Sequence, residues 1–193
     1  MKKLSRLLDD VRACTLCSAH LPLEPKPILQ LHPKAKILIA GQAPGRKAHD
    51  SGVPFDDASG RRLREWLGLS DDEFYDPQKV AILPMGFCFP GSGKSGDLAP
   101  RRECVSAWRY DLLDQLSNLE LTIVLGSFAQ KHHFFANYTT VTELVQSWRN
   151  YWPSKLPLPH PSPRNNLWLR KNPWFEAELL PELQLLIRQL LNN

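Results

Sequence analysis

The sequence predicts an α/β fold, a three-layer α/β/α sandwich around a central four-stranded parallel sheet. Three observations predict it. Short, almost wholly apolar runs recur at residues 35–41, 79–87, 119–126 and 155–160. Segments with helical periodicity separate them, so successive strands are joined by crossovers and pair in parallel. The runs also lack polar alternation, as strands covered on both faces should. With 193 residues, the chain is long enough for one good core and short for two, so a single domain over 1–193 is expected. A hydrophobic fraction of 42% excludes a disordered chain.

The elements follow in order. Residues 2–13 predict an amphipathic helix with Leu4, Leu7, Leu8 and Val11 on one face. After the first strand, residues 59–68 predict a helix with Ser59 as N-cap and Leu63, Trp66 and Leu67 inward, Asp57 being a second candidate for the cap. The second strand runs into a Gly/Pro/Ser loop. A helix is then expected from Pro100, in the first helical position, to Gln115. Helical pieces around 127–135 and 141–150 follow the third strand. After the fourth, Asn172-Pro173 opens a long helix with Trp174, Leu179, Leu180, Leu183, Ile187 and Leu190 inward.

No apolar run approaches the ~20 residues that span a bilayer. Asp9 and Asp10 interrupt the N-terminal MKKLSRLLDDVRAC, which therefore lacks a signal-peptide core. A cytoplasmic protein without a membrane partner is expected. The net charge of +4 suits a polyanion partner but also suits many ordinary proteins.

In a parallel sheet the loops leaving the C-terminal ends of the strands share one edge, where ligands bind. The loops beginning at Gly41, Cys88 and His160 should therefore converge. The first, within IAGQAPGRKAHDSGVPF at 39–55, carries an amide, three bases counting His49, an acid and a terminal aromatic. Loops this rich in glycine and proline are often plain connectors; convergence marks this one as a site.

Cys14, Cys17, Cys88 and Cys104 are the four cysteines. A thioredoxin-like pair would place its C-x-x-C at a helix start after a strand, whereas this one follows a helix. Disulfides are unexpected in a chain without a secretory signal. Four thiolates suit a metal site, zinc and a [4Fe–4S] cluster alike, and such a site would clamp the N-terminal helix to the loop after the second strand. Buried free thiols are the plainer alternative.

These residues together resemble a known family. Gly41-Gln42-Ala43-Pro44-Gly45 followed by Gly52-Val53-Pro54-Phe55 is similar, at the same spacing, to the G-E-A-P-G and G-x-P-F of the uracil-DNA glycosylase superfamily. His160-Pro161-Ser162 matches its H-P-S motif. The early C-x-x-C and the separation of Cys88 from Cys104 match its iron–sulfur-containing, family 4-like branch. The resemblance spans Cys14 to about Pro163.

It implies a uracil-DNA glycosylase-like fold and a DNA glycosylase that hydrolyses the N-glycosidic bond of a flipped-out damaged base, uracil or another deaminated base, in base-excision repair. It also implies a [4Fe–4S] cluster on the four cysteines, with zinc the fallback, and a monomer whose partner is DNA. Gly41, Ala43, Phe55 and Pro84 would then contact the base, Phe55 as its stacking floor. His160 would donate a hydrogen bond to the departing base, an effect worth ~2–4 kcal/mol. Ser92, Lys94, Ser95, Ser162 and Arg164 would contact DNA, and Arg164, Leu167 or Trp168 would be the intercalating wedge. No Lys lies within the matched motifs, which implies a monofunctional enzyme.

Three positions depart from the family pattern. Gln42, expected beside His160 as a catalytic residue that holds water or the base edge, replaces a glutamate, and an amide cannot accept a proton. Pro84 replaces a uracil-reading asparagine and has no side-chain donor or acceptor. Asp56-Asp57 replaces Val-Gly. They, or Asp50, are candidate substitutes for the missing acid. A relative that binds nucleic acid without turnover is the alternative function. Gly91-Ser92-Gly93-Lys94-Ser95 is also similar to the end of a P-loop, but Cys88 stands where that motif needs a glycine.

Overall fold

The computed structural model describes residues 2–94, 96–134 and 138–192. Helix α1 (Lys2–Arg12) leads to β1 (Ile37–Ala40), then α2 (Arg46–Ser51), α3 (Ala58–Leu67), α4 (Asp71–Phe74) and β2 (Val80–Ile82). A small hairpin, β3 (Ser92–Gly93) and β4 (Gly96–Asp97), precedes α5 (Tyr110–Leu113), β5 (Leu121–Leu125), α6 (Gly126–His133) and α7 (Val141–Gln146). Strand β6 (Lys155–Leu158), α8 (Asn166–Lys171) and α9 (Leu180–Asn192) complete the chain.

The main sheet has the order β2-β1-β5-β6, and each neighbouring pair is parallel. Strand pleating explains the three layers, because successive side chains point to opposite faces. Ile37 and Ile39 join one core with Leu63, Trp66, Phe175 and Leu183, on the face covered by α3 and α9. Leu38, between them, joins the other with Leu4, Val11, Ala81 and Leu112, under α1 and α5. All four residues of β1, Ile-Leu-Ile-Ala, are buried, as the unbroken apolar run requires.

Several expected boundaries move. The second strand ends at Ile82 rather than continuing to residue 87. Leu83 and Met85 still donate to Ile39 and Gly41 carbonyls, at 3.0 and 2.9 Å. Pro84 between them faces away from β1, so its missing N–H costs no ladder bond. The cap of α3 is Asp57, whose carboxylate accepts from Gly60 N–H at 2.8 Å; Ser59 lies inside the helix, buried. Pro100 does not open a helix. It packs close to Gly86 in the connecting loop, and the helix gathers only through a π-turn, Val105–Arg109, that runs into α5. A second π-turn, Phe175–Leu179, precedes α9. The segment resembling a P-loop is the β3–β4 hairpin, with Lys94 at its turn and no helix to receive a phosphate; Ser95 lies outside the described residues.

At the N-terminal edge of the sheet, Lys34, Lys36, Gln78, Asn118 and Glu120 line an open hollow of ≈ 600 Å³. Among the described residues, no helix is long and apolar enough to cross a membrane.

Candidate functional site

The opposite edge, at the strands' C-terminal ends, holds a cleft of ≈ 750 Å³. The loop after β1 supplies Gln42, Ala43, Pro44 and Gly45, and the segment after α2 supplies Pro54, Phe55 and Asp57. Pro84 follows β2, Ser127 follows β5, and His160, Ser162, Arg164 and Asn165 follow β6. Strand β4 closes the rim with Gly96 and Asp97. The parallel topology thus brings together the loops of Gly41 and His160.

Phe55 forms one wall. Its ring lies over Gly41, where a Cβ would stand 3.3 Å from Phe55 Cζ, and meets Phe74 edge-on with centroids 6.1 Å apart. Its φ of 56° is left-handed, strain of order 1–3 kcal/mol for a residue with a side chain. The surroundings hold it there. Tyr75 OH donates to Phe55 O at 3.4 Å, and a side chain at Gly60 would collide with that same carbonyl.

His160 enters from the end of β6. Its Nδ1 accepts from Ser162 N–H at 3.2 Å, so the neutral ring carries its proton on Nε2. Burial pushes its pKa below the ordinary value, against the opposing charges of Asp57 and Asp97. Asn165 Nδ2 donates to His160 O at 2.6 Å, and Gly126, at φ 74°, gives the ring room behind. The arrangement is a neutral hydrogen-bond donor, not a cation.

Gln42 Nε2 donates to Leu98 O at 3.1 Å, tying the β1 loop to the residue after β4. Among the candidate acids, Asp50 pairs with Arg46 at 2.9 Å, Asp57 caps α3, and Asp56 is exposed and does not line the cleft. Sequence reasoning missed Asp97. No motif marks it, and only the hairpin's return brings it to the cleft. Lys47 was passed over as well; it is exposed and lines the cleft.

The expected phosphate contacts divide. Ser162 and Arg164 line the cleft, with Ser162 Oγ accepting from Arg164 N–H at 3.3 Å. The Arg164 guanidinium lies against Gly96, where any side chain would collide with it. Ser92 and Lys94 sit on the exposed hairpin outside the cleft wall, and Ser92 Oγ donates to Asp97 Oδ1 at 3.2 Å. Trp168 is not available as a wedge. Its Nε1 donates to Thr142 Oγ1 at 2.8 Å and its ring packs edge-on against Trp174 and Phe175, whereas Leu167 is 55% exposed.

Behind Pro84 lies a buried cation that the sequence did not announce. Arg109 is wholly buried; Nη1 donates to the carbonyls of Leu83 and Pro84 at 2.9 and 2.8 Å, and Nη2 meets His133 Nε2 at 2.8 Å. Burial brings Arg109 down to about 10, and burial with the adjacent guanidinium brings His133 down to about 3. The neutral imidazole accepts and the arginine donates.

The four cysteines come into one neighbourhood. Burial first, then charge on the other thiols, pushes Cys88 up to about 12 and Cys104 up to about 11. Cys17 is raised for the same reasons, with Glu103 adding to them, and Trp108 Nε1 lies 3.2 Å from Cys14 Sγ. Among the described residues, no three Cys, His, Asp or Glu side chains are gathered closely enough to share an ion. The donor set suits a thiophilic group, which would remove the cost of burying thiolates together.

Residues 30–184 match the family described as "Uracil DNA glycosylase superfamily". A solution NMR structure described as "a putative Uracil DNA glycosylase from Methanosarcina acetivorans" is similar over 85% of this chain and 98% of its own, at 14% identity and a TM-score of 0.48.

Proposed function

Since the chain belongs to the uracil DNA glycosylase superfamily, we propose that it is a monofunctional DNA N-glycosylase acting on uracil or another deaminated base in base-excision repair. The observation that carries this reading is the pairing, across one cleft, of an aromatic wall with a neutral histidine donor. A flipped base stacks on Phe55, between Gly41 and Ala43 on one side and Pro84 on the other. As the C1′–N bond breaks, negative charge grows on the base. His160 Nε2–H donates to the base oxygen that takes up this charge, a donor already in place before the reaction. Neutrality matters: the donor keeps its proton, and the leaving base departs as a stabilised anion.

Ser162, Arg164 and, on the hairpin, Ser92 and Lys94 are proposed to hold the DNA backbone, with Arg164 or Leu167 filling the gap left by the base. The protein is proposed to act as a cytoplasmic monomer. Lys47 is surrounded by water, not by the apolar contacts that activate an amine for Schiff-base chemistry. Borohydride treatment during turnover is therefore expected to trap no protein–DNA adduct, and a trapped adduct would assign a lyase activity instead.

Cys14, Cys17, Cys88 and Cys104 are proposed to hold a [4Fe–4S] cluster, with zinc the fallback. When bound, the group would supply a structural clamp between the segment after α1 and the loop after β2. Protein purified in air should be brown with thiolate-to-iron absorption; colourless protein carrying one zinc would correct the metal.

The test of the whole reading is incubation of the protein with duplex and single-stranded oligonucleotides containing uracil, hypoxanthine, xanthine or an oxidised base, scored for abasic sites. Excision of one or more is expected. Salt-sensitive binding without excision of any would favour the non-catalytic relative, for which Gln42 in place of an acid is the specific observation.

A further inference from the structure

Hydrolysis at a sugar carbon benefits from a carboxylate near the attacking water, and Gln42 cannot be one. Its Nε2 moreover donates to Leu98 O at 3.1 Å. That bond has a consequence. Together with the 2.8 Å bond from Leu98 N–H to Gly91 O, it folds the hairpin back over the β1 loop and brings the residue before Leu98 into the cleft.

That residue is Asp97. Its Oδ2 lies 3.4 Å from the point where a Cβ on Gly45 would stand, so the glycine leaves the carboxylate its place against the loop. Ser92 Oγ donates to the other oxygen, Oδ1, at 3.2 Å and fixes the rotation of the group. The charge is also felt across the cleft by the His160 ring. The other acids are otherwise engaged: Asp57 accepts from Gly60 N–H, Asp50 pairs with Arg46, and Asp56 does not line the cleft.

We propose that Asp97 is the catalytic carboxylate of this site, replacing from the hairpin the acid that the β1 loop lacks. The proposal rests on the glycosylase reading above. In the step, the water oxygen bonds to C1′ as the C1′–N bond breaks. The bonding electron pair leaves with the base, held by His160 Nε2–H. The water proton passes to Asp97 Oδ2 and from there to solvent. While the C1′–N bond is stretched, the same negative charge faces the cationic sugar.

The experiment is single-turnover excision by wild type, Asp97→Asn, and Gln42→Glu combined with Asp97→Asn, on whichever of the four bases the wild type cuts. Asparagine keeps the shape, and its amide oxygen still accepts from Ser92. Asp97→Asn is expected to slow excision about 100-fold or more, the usual range for a lost general base. Melting temperature and DNA affinity should hold, and Gln42→Glu should recover at least tenfold of the loss. Excision within threefold of wild type overturns the proposal and leaves the glycosylase reading standing. A slow variant that melts early, or that Gln42→Glu does not rescue, overturns it also by making Asp97 structural. A wild type that cuts none of the bases overturns the glycosylase reading, and this proposal with it.

Discussion

Phe55 and His160 show how far single residues could be read. G-x-P-F and H-P-S mark both as candidate site residues, and both line the cleft. The left-handed φ of Phe55 and the choice of Nε2 as proton carrier depend on Tyr75, Gly60 and Ser162, which no local pattern links to them. Removing His160 should therefore cost more than removing Gln42. His160→Ala is expected to slow excision by about 30- to 1,000-fold, equivalent to ~2–4 kcal/mol, and Gln42→Ala by less. Single-turnover rates check the order. Because its pKa is lowered, the neutral histidine should persist below pH 6.5, and its contribution should be lost only at lower pH. A steep loss of rate centred at 6.5 would contradict that. Gly60→Ala should lower the melting temperature, at a cost of about 3 kcal/mol of stability, because the new methyl meets the Phe55 carbonyl.

At the scale of elements, the strands were legible because double-sided burial leaves an unbroken apolar run. Their ends were less so. The second strand's hydrogen bonding to β1 continues past Ile82 without forming a regular strand, and Pro100 has the composition of a helix start but packs as loop. The Gly/Ser stretch is similar in sequence to the end of a P-loop, a likeness that Cys88 already breaks. It is a hairpin because Gly91 at φ 106° and Gly96 at φ 137° turn the chain back on itself. The loop after β2 depends on Arg109, whose interior charge has no periodicity to betray it. Arg109→Met should leave the carbonyls of Leu83 and Pro84 and the His133 nitrogen without their donor. A cost of ~1–3 kcal/mol for each buried group left unpaired is expected, partly offset by removing a buried charge. Chemical denaturation of the variant measures it, and unchanged stability would mean that water replaces the guanidinium.

For the molecule as a whole, the titration of the buried His133 contributes to the response to acid. The unfolded chain takes up this proton near the ordinary pKa, about 6.5, whereas the folded chain resists until about 3. Its contribution to stability is thus fully present above 6.5 and is lost as pH falls toward 3, at up to about 1.4 kcal/mol per pH unit. Denaturation midpoints at pH 7 and pH 4.5 should differ in that direction; His133→Gln should flatten the dependence. DNA affinity should fall steeply with salt as counterions are released, and Lys94→Ala with Arg164→Ala should reduce that slope. Finally, the parallel strands keep the Lys34–Asn118 hollow and the cleft at opposite ends of the sheet, separated by at least a four-residue strand, or ~13 Å. An affinity handle joined at Asn118 through an unnatural side chain, sparing the four cysteines, would anchor the protein to a glass surface with its cleft facing solution. Single DNA molecules could then be watched arriving and leaving.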